Sequence, residues 1–103
     1  MKIIEQEEVR KLLQPKDCIQ LMAEALKGLE SGEYAQPARL ITVMPNTAKF
    51  GFMPAYVGDY FGAKVISAFA PNMGTKYPSH IGYVILFESA HSTVAGMIEA
   101  GSI

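Results

Sequence analysis

The chain has 103 residues, half of them hydrophobic and 18% charged. That suits one globular domain and excludes a disordered tract or a pair of ordinary domains. A net charge of −1 gives no overall electrostatic footprint for nucleic acid, and no run approaches the ~20 apolar residues of a membrane helix.

Lys2-Ile3-Ile4 reads as a short edge strand. Residues 5–13 read as a short helix with Val9, Leu12 and Leu13 on one face. Its acids Glu5, Glu7 and Glu8 occupy the first part, where the helix dipole favours them. Pro15 separates it from a second helix over 17–31, with Ile19, Met22, Leu26 and Leu29 at helical spacing and Gly32 as the stop. This stripe is expected to be core, covering one face of a sheet. From Pro37 the apolar period changes to two. Strands are expected over 39–44, 49–57, 60–70, 83–88 and 93–100. Pro45-Asn46 and Gly58-Asp59 mark turns, and Pro54 belongs at an edge or bulge. Short links favour antiparallel neighbours. The expected fold is therefore α+β, two N-terminal helices packed on a mostly antiparallel sheet of five to six strands.

The single cysteine, Cys18, excludes an internal disulfide and reads as a buried, inert thiol in a helix. The charged opening lacks a signal-peptide core, so a soluble, reducing, cytoplasmic setting is expected. No CxxC, HExxH or GxSxG is present, and His80 and His91 lack metal-ligand spacing, so no metal is expected. Nothing matches the dinucleotide fingerprint G-x-G-x-x-G.

Two cations stand in or beside the apolar strands, Arg39 and Lys64. A cation in an apolar strand costs free energy unless something anionic or polar meets it. Gly62, Lys64, Ile66 and Ala68 share one strand face, with Gly62 leaving room. Met53 and Ala55 on the preceding strand line the same space. Lys64 there suits carboxylate binding, donation to a carbonyl, or base or nucleophile chemistry. Arg39 offers a planar fork for a carboxylate. The plainer alternative has Lys64 facing solvent and Arg39 capping a strand. His80 reads as a structural loop histidine, Ser79 as turn chemistry or an anion donor, and Glu99 as a cation partner or an exposed edge residue.

The ordered pattern Arg39, Phe52-Met53-Pro54-Ala55, Gly62-Ala63-Lys64-Val65, Asn72, Pro78-Ser79-His80-Ile81-Gly82 and Val84-Ile85-Leu86-Phe87 resembles the N-terminal part of the ornithine cyclodeaminase/mu-crystallin family. The likeness covers essentially the whole chain. It implies that residues 1–103 are the substrate-binding and dimerisation part of a two-domain enzyme. A Rossmann domain for NAD or NADP would follow, and none is expected to bind this chain alone. The implied chemistry is hydride transfer at the α-carbon of a small amino or keto acid: ornithine to proline plus ammonia, alanine dehydrogenation or ketimine reduction. Carried onto this sequence, Arg39 and Lys64 hold the substrate carboxylate and neighbouring polar atoms, and Ser79 touches the cofactor. From the strand pattern Met53 joins the substrate-binding residues and Lys64 is the catalytic candidate. Exposed strand edges and an apolar-rich short chain imply a homodimer. The alternative is a free-standing ligand-binding or dimerisation module without catalysis.

Overall fold

The computed structural model describes residues 2–101. The elements are β1 (Lys2–Ile4), α1 (Gln6–Leu12), α2 (Pro15–Ser31), β2 (Leu40–Val43), β3 (Lys49–Tyr56), β4 (Tyr60–Ala68), a 3-10 turn (Ala70–Asn72), β5 (His80–Glu88) and β6 (Thr93–Glu99). The architecture is α+β: two helices and one six-stranded sheet in the order β1-β6-β5-β4-β3-β2. All neighbours are antiparallel except β1 and β6. No helix among the described residues is long and apolar enough to cross a membrane.

Several boundaries move for local reasons. Proline pre-sets the helical φ and lacks only an N–H that the first turn leaves unused, so α2 begins at Pro15 rather than at 17. It ends at Gly32, which is left-handed (φ 82°) and donates to the Leu29 carbonyl. The third strand was expected to reach 70, but Ala70 opens the 3-10 turn with Pro71 inside it. Pro54 lies within β3, yet beside no β2 partner. The β2–β3 ladder ends at the Leu40–Phe52 pair, and the outward N–H of Tyr56 goes instead to Ala35. Two residues back, the proline nitrogen faces that same side, where no partner asks for a donor.

Alternation divides the sheet into two faces. Met53, Lys64, Val84 and Ile98 are opposite one another across β3–β6, so they share one face. Leu40, Phe52, Val65, Tyr83 and Glu99 share the other. Helix α1 packs on β6, and the Tyr83 hydroxyl donates to Glu5 at 2.8 Å, which ties the start of the helix to the second face. Val9 is the α1 side chain buried there, whereas Leu12 stays exposed.

The expectation that the α2 stripe is core is corrected. Ile19 is 74% and Leu26 61% exposed. Within the chain α2 is anchored at its end instead, where the Tyr34 ring lies on Gly28 and the Tyr34 N–H donates to the Gly28 carbonyl at 3.0 Å. Glu99 is also not an edge residue. It is 8% exposed because β1 covers the outer side of β6, and its carboxylate accepts the Gly101 N–H at 2.6 Å.

Candidate functional site

Lys64 sits in the middle of β4, half-buried, opposite Met53 on one side and Val84 on the other. Gly62, two residues earlier on the same face, is needed for close approach. A Cβ there would overlap the Ile85 carbonyl oxygen of the neighbouring strand. Met53, Ala55, Gly62, Lys64, Val84 and Leu86 line an open cavity of about 240 Å³. Its walls are almost wholly apolar.

Arg39 immediately precedes β2. Leu40 pairs with Phe52, so the chain brings Arg39 to the level of Met53. Arg39, Met53, Pro54, Gln36 and Pro37 line a second cavity of about 290 Å³. Met53 therefore lines both, and the two cations flank it from either side. Arg39 is exposed. Among the described residues, neither Arg39 nor Lys64 forms an ion pair.

A third cavity of about 260 Å³ opens at the other end of Lys64, lined also by Ile66, His80, Gly82, Ala100 and Gly101. His80 is not in a loop. It is the first residue of β5 and pairs with Ala68, which puts it on the Lys64 face. The sequence signal was present, since counting back by two from Val84 through Gly82 reaches His80. The Pro-Ser before it and the glycine within it read instead as a turn. Ser79 lies just outside the strand. Its hydroxyl is 3.1 Å from His80 Nδ1, and its carbonyl accepts the Phe69 N–H at 2.7 Å. Asn72 donates to the Pro78 carbonyl at 3.0 Å and so braces the loop that delivers Ser79 and His80.

Lys64 and His80 thus share one sheet face by register, and Arg39, just before β2, borders it at the level of Met53. No Asp or Glu lines any of these three cavities. Glu99 lies on the opposite face. The arrangement can receive an anionic or carbonyl-bearing small molecule whose carbon skeleton lies on Met53 and Val84. No group of three or more His, Cys, Asp or Glu among the described residues could hold a metal ion.

Solved structures share this fold. An archaeal alanine dehydrogenase dimer with bound NAD aligns with a TM-score of 0.90 at 21% identity, over 97% of this chain and 31% of that one. The Δ(1)-pyrroline-2-carboxylate reductase of Thermococcus litoralis, in complex with NADH and L-proline, aligns at 0.90 and 22% identity, over 98% of this chain and 32% of that one. A probable ornithine cyclodeaminase from Bordetella pertussis Tohama I aligns at 0.83 and 19%, over 99% and 31%. The chain spans about a third of the length of these structures. They share its α+β fold. Among curated proteins none matches. The chain belongs to the ornithine cyclodeaminase/mu-crystallin family, whose pattern matches residues 1–103.

Two of these structures hold NAD or NADH. A dinucleotide cradle needs a glycine turn between a strand and a helix N-terminus, usually within a βαβ unit. Among the described residues the one parallel strand pair is β1 with β6, the first and last strands, and no strand from β2 onward is followed by an α-helix.

Proposed function

We propose that the Arg39–Met53–Lys64 face binds the carboxylate and neighbouring polar atom of a small amino or keto acid, as the substrate-binding part of an NAD(P)-dependent enzyme acting at the α-carbon. The observation that carries this reading is that Met53 lines the cavities of both cations while neither cation meets an acid among the described residues. In this reading Arg39 grips the carboxylate with its planar fork. Lys64 donates to the α-carbonyl or imine end, where a positioned ammonium polarises the bond and holds a proton. Met53 packs against the carbon chain, and Ser79 touches the nicotinamide held by a domain outside this fold. Ornithine cyclisation, alanine dehydrogenation and ketimine reduction are the reactions that suit it, in a soluble, cytoplasmic setting.

Pyruvate is the simplest probe. Arg39→Ala and Lys64→Ala should each weaken its binding, measured by calorimetry, by tenfold or more, since a hydrogen bond to a charged group contributes about 1.5–3 kcal/mol. Unchanged affinity in both variants contradicts the reading. The alternative is a free-standing binding module without catalysis. A reading frame running on into a glycine fingerprint would sink that alternative.

The opposite face is assigned to self-assembly. Leu40 is 64% and Phe52 45% exposed there, with Phe50 and Ile81 beside them. A second copy laid on these side chains would leave the Lys64 face free.

A further inference from the structure

The apolar stripe of α2 carries its own description of what fits it. Ile19, Met22, Leu26 and Leu29 follow one another in alternating steps of three and four residues, the seam of a two-helix coiled coil. All four are exposed. The buried residue of α2 is Gly28, which carries the Tyr34 ring. At ~100° per residue Gly28 lies about 140° around the helix from the middle of the seam. The contact that anchors α2 therefore turns the seam outward. The residues flanking the seam then select the partner. In an antiparallel pair of α2 helices related by a two-fold axis, residue i faces residue j and j faces i. Met22 then meets Leu26 of the second copy, and Ile19 meets Leu29. The same axis sets Ala23 against Ala23 and Ala25 against Ala25, so nothing bulky holds the helices apart at the centre. It also sets Lys16 opposite Glu30 at both ends. Both are exposed, and among the described residues neither forms an ion pair. A parallel pair would instead set Ala25 beside Glu30 and Cys18 beside Ala23, with no opposite charges to meet.

We infer that α2 is a second self-pairing surface, whose occupant is the α2 of another copy running antiparallel. The exposed area allows it. The chain exceeds the surface of a compact monomer of its mass by about 1,900 Å², and a standard interface takes ~800 Å² from each partner. One interface on the sheet face therefore leaves area for another. The two surfaces lie on different elements, so α2 pairing joins units already formed through the sheet. Four apolar side chains per helix make a seam below standard size, so the pairing is weak, with a Kd of about 0.1 mM. It is independent of acid binding at Arg39 and Lys64.

Sedimentation equilibrium over a range of concentrations tests this. The mass should double between about 10 μM and about 1 mM, whatever its value at the lower end. Leu26→Lys, at a position already exposed, should abolish the doubling. Lys16→Glu and Glu30→Lys should each weaken it by about tenfold, since each replaces two attractive end pairs by two repulsive ones. The double variant carrying both changes should regain the original affinity, because the exchange of charges restores both pairs. That recovery is specific to a second copy, since any other occupant would meet two altered charges. A mass that stays constant over this range overturns the pairing. So does a doubling that survives Leu26→Lys, which would place the contact elsewhere. A double variant as weak as either single one overturns the antiparallel α2 occupant.

Discussion

At the scale of single residues, two side chains show how local bonding sets a charge state. Glu88 closes the β5–β6 turn. Its carboxylate accepts the Thr93 hydroxyl at 2.8 Å, the His91 N–H at 2.9 Å and the Thr93 N–H at 3.1 Å. Those bonds, the Thr93 hydroxyl foremost, hold its carboxyl below the usual range against the opposing pull of partial burial. A lowered folded pKa adds stability above the unfolded pKa and loses it as pH falls through the folded value. The turn should therefore stay closed at neutral pH and loosen on acidification below the ordinary carboxylate range. Hydrogen exchange at the Thr93 amide should quicken there relative to the intrinsic rate, and Glu88→Gln should remove the dependence. An identical pH profile in that variant contradicts the assignment. Tyr83 moves the other way: its hydroxyl donates to Glu5, and that bond, burial and the charges of Glu5 and Glu99 all disfavour the phenolate. Among residues, Lys64 was legible because a charge interrupts an alternating apolar run. His80 was read as a loop residue because its position depends on pairing with Ala68, far away in sequence, while its immediate neighbours are turn formers.

At the scale of elements, strands declare themselves where both the alternation and the punctuation are local. Gly58, left-handed at φ 82°, starts the turn between β3 and β4, and Val57 donates to the Tyr60 carbonyl at 2.9 Å across it. That link fixes the register and hence the opposition of Met53 and Lys64. The end of α2 was equally plain, since Gly32 stops it by backbone chemistry alone, whereas its start lies at Pro15, two residues before the expected one. What periodicity does not contain is the identity of the surface that meets an apolar stripe. The stripe of α2 was expected on the sheet, and it is exposed within this chain. The stripe of α1 meets β6 because Val9 and the Glu5–Tyr83 bond hold it there. Phe61 and Phe87, stacked at 5.3 Å across β4 and β5, show the same dependence on register.

At the scale of the whole molecule, exposure is the dominant fact. The chain presents 7619 Å² to solvent, whereas a compact monomer of its 11.2 kDa would present roughly 5,700 Å². The excess, about 1,900 Å² on this one chain, is more than twice the ~800 Å² that each partner gives to a standard protein interface. The radius of gyration, 15.0 Å, likewise exceeds the ~13 Å of a compact chain this long. The proposed dimer through Leu40, Phe50, Phe52 and Ile81 predicts twice the chain mass in sedimentation at micromolar concentration. Phe52→Lys should return it to the monomer without altering pyruvate binding, and a monomeric sedimentation profile of the unaltered protein contradicts the dimer. The central claim concerns the other face, and methyl and side-chain resonances test it most directly. On titration with pyruvate, the Met53 and Val84 methyls and the Lys64 side chain should shift together, while Leu40 and Val65 on the reverse face stay still. Shifts confined to Leu40 and Val65, or none on either face, would contradict the assignment of the Arg39–Met53–Lys64 face to acid binding.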